Sequence, residues 1–227
     1  MAYTKTRLLR GFTEVQDLFD FIGDDAIICG GWARWCASNN KNPKPASDVD
    51  VYCKSEESFE KLRLALEATN AMPVYAEKPV AITYDKDQTR FPGCPRIQLI
   101  KPMVQGRVVT MGTSEEILDN FDFSVVRACI VSSREVLVDE HFIEDEEKRV
   151  LRINNIHCPI STMYRVIKYI DKGYWIRPME LVKLFVDWEN RPADYREQLV
   201  SIFNDIAGGK EMTKEDIDEL EALLHID

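Results

Sequence analysis

The sequence predicts a mixed α/β (α+β) fold: a small mixed β-sheet with flanking helices, followed by a helical C-terminal region. Three observations predict it. Short apolar or alternating runs bounded by Gly, Pro and charged turns recur up to about residue 150. Amphipathic stretches of helical period are interleaved with them. From Ile160 onward only the helical period remains, so a boundary falls near 151–159 and divides the chain into domains 1–152 and 153–227.

Thr13 and Gln16 have the spacing of a capping box ahead of a helix whose positions Val15, Leu18, Phe19 and Ile22 share one face. The run Ala26-Ile27-Ile28-Cys29 ends at Gly30-Gly31, which reads as a buried strand entering a tight turn and then a short helix over 32–38. Residues 39–47 are rich in Asn, Lys and Pro and form a loop. Asp48-Val49-Asp50-Val51-Tyr52-Cys53 alternates with period two, as a half-buried strand does. An amphipathic helix follows over 56–69. Further strands are expected at 80–84, 96–101, 123–131 and 136–138, with a helix at 114–120. Four helices are expected in the C-terminal region, over 161–172, 178–188, 193–206 and 213–224; Gly208-Gly209 stops the third and Thr213 caps the fourth.

The composition narrows the function. The 227 residues are 45% hydrophobic and 30% charged, with a net charge of -10. That excess of acid excludes a generically basic nucleic-acid binder. The acidity is local, however: residues 134–148 carry -5 and residues 194–227 carry -7. Six dispersed cysteines without a CxxC pair read as reduced thiols of a cytoplasmic protein. Three histidines without metal-ligand spacing leave little for a zinc site or a histidine triad. No stretch approaches the ~18 uninterrupted apolar residues of a membrane span, and the first ten residues lack a signal-peptide apolar segment.

The chemistry concentrates in Gly30-Gly31 and in Asp48 with Asp50. Carboxylates at i and i+2 of a strand project from one face a few ångströms apart and repel unless a cation lies between them. Mg²⁺ takes one or two carboxylates together with substrate phosphates. Glycines at a strand-to-helix turn let backbone approach such phosphates, and the helix N-terminus favours negative charge. Each motif alone also fits a plain tight turn or a solvated strand face; their order after an apolar strand is what points to nucleotide chemistry.

Gly30-Gly31-Trp32-Ala33-Arg34, a loop, and then Ser47-Asp48-Val49-Asp50-Val51 resemble the GG…DxD signature of the polymerase-β-like nucleotidyltransferase superfamily. Gly-Gly-x-x-Arg is similar to the opening of its poly(A)-polymerase and CCA-adding branch. The resemblance implies transfer of a nucleoside monophosphate from an NTP to an acceptor hydroxyl on an RNA end, a protein or a small molecule. Asp48 and Asp50 would hold Mg²⁺ (or Mn²⁺), and Gly30, Gly31, Arg34 and Ser47 would meet the nucleotide. Members usually add a third carboxylate from a later strand. Here the strand over 96–100 carries Gln98 at that position, an amide that can coordinate a metal but cannot take a proton. Asp122 is the candidate substitute. Gln98 followed by Phe121-Asp122 is similar to nucleotidyltransferase-like proteins of viral and bacteriophage type. In the first C-terminal helix Tyr164, Lys168 and Lys172 form a stripe with Arg165 beside it, and the resemblance assigns Lys168 and Lys172 to the triphosphate. The alternative that Gln98 opens is a catalytically silent module that binds a nucleotide or a partner.

Overall fold

The computed structural model describes residues 2–39, 45–68, 73–87, 89–102, 104–105, 108–208 and Thr213. In chain order the elements are β1 (Tyr3–Arg7), α1 (Gln16–Ile22), β2 (Ala26–Cys29), α2 (Gly30–Ala37), β3 (Asp48–Cys53) and α3 (Glu56–Glu67). Next come β4 (Val74–Glu77), β5 (Ala81–Tyr84), β6 (Arg96–Ile100), the small hairpin β7 (Val104–Gln105) and β8 (Val108–Val109), and α4 (Ser114–Leu118). A 3-10 turn (Ser124–Val126) leads to β9 (Ala128–Ile130), β10 (Glu135–Asp139), α5 (Phe142–Lys148) and β11 (Val150–Leu151). The remainder is α6 (Pro159–Ile170), β12 (Trp175–Ile176), α7 (Pro178–Glu189) and α8 (Ala193–Ala207). The helix expected over 213–224 lies outside the described residues, apart from Thr213.

Eight strands form one mixed sheet in the order β1-β10-β9-β2-β3-β6-β5-β4, in which β3 and β6 run parallel and the other pairs are antiparallel. One face carries Ile28, Val49, Val51, Ile82, Ile97 and Leu99 and packs under α1, α2 and α3, which bring Leu18, Trp32 and Phe59 among others. The opposite face carries Ile27, Cys29, Cys129 and Leu137 beneath Ile117 and Leu118 of α4. A second apolar cluster joins Phe123, Val125, Val126, Leu151 and Ile153 to Val166, Tyr169, Tyr174 and Leu184, and so ties the C-terminal helices to the segments that flank the sheet.

Two local expectations are corrected. Thr13 does not cap α1: Val15 is the N-cap residue, and the Thr13 hydroxyl donates to Glu14 instead. A turn closed by the Val15 N–H on the Phe12 carbonyl precedes the helix and lets Phe12 pack edge-on against Phe19, with ring centroids 5.4 Å apart. The strand expected over 123–131 is broken by the 3-10 turn, after which β9 covers only three residues.

The break follows from Arg127, whose side chain is completely buried. Its Nε donates to the Phe121 carbonyl at 2.9 Å and its Nη2 to the Asp119 carbonyl at 3.0 Å, with Asp139 3.7 Å away. A buried charge without such partners costs several kcal/mol. Arg127→Ala is therefore expected to remove about 3–5 kcal/mol of stability, read as a lower urea midpoint at unchanged m-value; a midpoint shift worth under about 1 kcal/mol contradicts this role.

Candidate active site

Pairing registers place the predicted residues around the middle of the sheet. Asp50 lies opposite Cys29 of β2 on one side and Gln98 of β6 on the other; Asp48 lies opposite Arg96. Val49 and Val51 are buried on the core face, so the two carboxylates share the other face, half-buried. Arg96 does not neutralise Asp48: its Nε donates to Asp85 at 3.2 Å and its guanidinium stacks 3.6 Å from the Tyr75 ring centre. Ser47 donates its hydroxyl to Asp48 Oδ2 at 2.6 Å.

Gly30 has φ +69°, a conformation that suits glycine, and a Cβ there would stand 2.9 Å from Asp50 Oδ2 and 3.4 Å from the Phe121 ring. At Gly31 a Cβ would meet Ala46 at 3.3 Å. The first glycine thus brings backbone onto a carboxylate, and the second brings α2 onto the loop that carries Ser47. Because Cys29 caps α2 without a side-chain hydrogen bond, the helix's first N–H groups have no side-chain acceptor from the cap residue. The Cys29 thiol is pushed well above its ordinary range by burial first, then by hydrogen bonding with Cys129 and by the nearby Asp50 charge.

The cationic groups gather elsewhere on α2 and α6. Arg34 is buried; its Nη1 donates to Glu146 Oε1 at 3.1 Å and to the Tyr174 hydroxyl at 2.5 Å, and its guanidinium stands 5.9 Å from the Tyr169 ring centre and 5.8 Å from that of Tyr174. Lys172 places its ammonium 4.8 Å from the Tyr169 ring centre. Desolvation, together with the charges of Arg34 and Lys168, holds the Lys172 pKa below the usual lysine value. Lys172 thus stands against two like charges, Arg34 and Lys168, which disfavour its protonated form.

Asp122 sits differently. Its buried carboxylate accepts from Arg165 Nε at 2.5 Å, and its carbonyl accepts from the Asn154 N–H. The preceding Phe121 reaches the site, lying against Gly30 and 5.5 Å from the Tyr52 ring. Among the described residues no three His, Cys, Asp or Glu side chains group as a metal site.

Sequence reasoning missed Glu146, whose carboxylate collects Arg34, Ser38 and Tyr174. It lies in an acidic run that reads as solvated, and its one distinguishing signal is that α5 turns Phe142 and Glu146, one helical turn apart, to the same buried side.

A family model described as Gabija anti-defense 2 family protein matches residues 4–149. The chain belongs to that family. A relative from Bacillus phage SPbetaL7, Gabija anti-defense 2, is 27% identical over 185 residues, covering 75% of this chain and 41% of its own length. Among solved structures, a tRNA nucleotidyltransferase complexed with a primer tRNA and an incoming ATP analog aligns with 92% of this chain and 59% of its own, at 15% identity and TM-score 0.51. A CCA-adding enzyme in complex with CTP aligns with 97% of this chain and 55% of its own, at 17% identity and TM-score 0.52. This family member thus has the nucleotidyltransferase fold and spans less than two thirds of the length of each of these proteins.

Gly30→Ala combines a positive φ with contact on Asp50. It is expected to cost about 1–3 kcal/mol of stability and to disturb the acidic pair, whereas Gly23→Ala, also at positive φ but facing open space, should cost only the conformational part. Thermal unfolding of both checks this; equal losses would show that the approach to Asp50 is unimportant.

Proposed function

We propose that this protein is a metal-dependent nucleotidyltransferase that moves a nucleoside monophosphate from an NTP to an acceptor hydroxyl on an RNA end, a protein or a small molecule. The observation that carries it is the junction of Gly30 with Asp50, which sets a glycine turn and a helix start beside a paired carboxylate site. The donor set fits Mg²⁺ or Mn²⁺: Asp48 and Asp50 offer hard carboxylate oxygens and Gln98 an amide oxygen, with room in the coordination number for phosphate oxygens. Such an ion, when bound, supplies Lewis-acid polarisation of the phosphoryl oxygens. Ser47 orients Asp48 through its hydroxyl.

Gly30, Gly31 and the first N–H groups of α2 cradle the phosphates, while Lys168 and Lys172 neutralise them. Arg34 keeps a buried Nε that finds no acceptor among the described residues, and we assign that donor to a phosphate oxygen. Asp122 is left out of the reacting set because its carboxylate is occupied by Arg165. The acceptor oxygen bonds to the α-phosphorus as its bond to pyrophosphate breaks, and the hydroxyl proton leaves to solvent or to the departing pyrophosphate, since Gln98 cannot accept it. A role for this activity against a host defense is supported by the family's anti-defense description.

Gln98 in register with Asp50 also favours a second reading, binding without turnover. Labelled NTPs with Mg²⁺ or Mn²⁺ and total RNA or protein extract separate the two. Incorporation that falls at least ~100-fold in Asp48→Asn and Asp50→Asn, with folding intact, is expected for the transferase; the loss corresponds to several kcal/mol of charge stabilisation. Unchanged transfer in both variants contradicts it. No incorporation by the wild type, together with a ligand-induced rise in Tm, leaves the binding module.

A pH dependence follows from Lys172. Anion binding needs its protonated form, and its pKa is lowered. Affinity for Mg·NTP should therefore decline as pH rises through that lowered pKa, sooner than an ordinary lysine would dictate. Lys172→Arg, which stays charged, should flatten the decline; an identical pH profile in the variant would remove Lys172 from the phosphate site.

A further inference from the structure

Asp139, Asp145 and Glu146 of the 134–148 run are all buried, and Glu146 is the one whose donors come from α2 and from the turn after α6; no role above requires it. Its carboxylate is 2% exposed. It receives Arg34 Nη1 on both oxygens, at 3.1 and 3.3 Å, the Ser38 hydroxyl at 2.7 Å and the Tyr174 hydroxyl at 2.5 Å. Ser38 and Arg34 belong to the end and the middle of α2, the helix that Gly30-Gly31 opens. Tyr174 follows Lys172 in the turn that ends α6, and its ring packs edge-on against Tyr169, over which the Lys172 ammonium lies. One carboxylate therefore binds together the helix that begins at the acidic pair and the turn that carries the triphosphate lysine. It also uses up Nη1 of Arg34 and leaves the buried Nε without an acceptor.

We infer that Glu146 is a positioning residue for nucleotide binding: it fixes the separation between the Gly30-Gly31 turn and Lys172 and sets the orientation in which Arg34 presents Nε–H. This rests on the nucleotidyltransferase reading. Glu146 touches no substrate; it acts through Arg34 and Tyr174. Two neutral changes disturb the link with little change of volume. Glu146→Gln replaces one acceptor oxygen by a donor amide that faces Arg34 or Tyr174, and Tyr174→Phe deletes the hydroxyl that joins α6's turn to the carboxylate. Ser38→Ala, by contrast, removes a donor to the same carboxylate from the α2 side and leaves both the Arg34 and Tyr174 bonds in place.

The experiment measures the affinity of the full chain for a Mg²⁺ complex of a non-hydrolysable ATP analog, by calorimetry well below each variant's Tm, alongside the Tm itself. Glu146→Gln and Tyr174→Phe should weaken binding at least tenfold. Ser38→Ala should lower Tm without changing affinity more than about twofold, as expected for loss of one buried hydrogen bond. Affinities that are unchanged in Glu146→Gln and Tyr174→Phe, or that fall in all three variants in proportion to Tm, would overturn the inference and reduce Glu146 to a stability role. A wild type that binds no nucleotide would overturn the nucleotide reading and this inference together; a wild type that binds normally, with Glu146→Gln binding equally well, would overturn this inference alone.

Discussion

The alternation of β3 is the constraint on which the rest of the structure depends. Val49 and Val51 must enter the core between α1, α2 and α3, and burying two such side chains is worth several kcal/mol. With period two fixed by the backbone, Asp48 and Asp50 are then compelled onto the opposite face together, where like charges a few ångströms apart are unfavourable without a counter-charge. A slip of one residue would bury both carboxylates and expose both valines, so the register is held strongly. The neighbours inherit it: Cys29 and Gln98 face Asp50 from either side, and Gly30 follows Cys29 directly into contact with the carboxylate. Among the sheet's described pairings β3–β6 is the parallel one, and the two strands carry the acids and the amide of the site side by side.

A second layer of organisation is made of buried charges that hold loops and helices in place. Arg127 gathers the carbonyls of Asp119 and Phe121 and so fixes the segment that brings Phe121 to Gly30. Arg165 binds Asp122 one residue later and draws α6 toward the same segment. Arg152 binds Asp145 at 2.8 Å, and the Ser124 hydroxyl shares that carboxylate. Arg34 with Glu146 completes the series between α2, α5 and the turn after α6. Arg165–Asp122 and Arg34–Glu146 join elements distant in sequence, and each of these pairs would be costly to leave with one member alone. The sheet face and the helical part are thereby held in a definite relation, which a site built from both requires.

What was legible in the sequence is what periodicity and glycine chemistry report. β2, β3, α3, the glycine turn and the three described C-terminal helices are all visible as apolar patterns with turn residues at their ends. β1 and β4 were not, because they are edge strands with mostly exposed, polar-mixed side chains and no period-two signal. α5 was hidden in its own acidity: Glu144, Glu146 and Glu147 look alike in sequence, although Glu146 is buried against Arg34 while Glu147 is exposed. Of the site, Asp48, Asp50, Gly30 and Gly31 come together, and Lys172 stands against the charges of Arg34 and Lys168. The partners that decide how Arg34 and Asp122 are used, Glu146 and Arg165, depend on long-range packing that no local pattern encodes.

The central claim is that Asp48, Asp50 and the glycine turn form a metal-dependent nucleotide site. The most direct measurement is calorimetric binding of the four NTPs, as non-hydrolysable analogs, to the wild-type chain in Mg²⁺ and in EDTA. The account predicts saturable binding of at least one NTP in Mg²⁺ that weakens tenfold or more in EDTA, because the carboxylates then repel the phosphates. Absence of binding by all four in Mg²⁺, or equal affinity in EDTA, would contradict it.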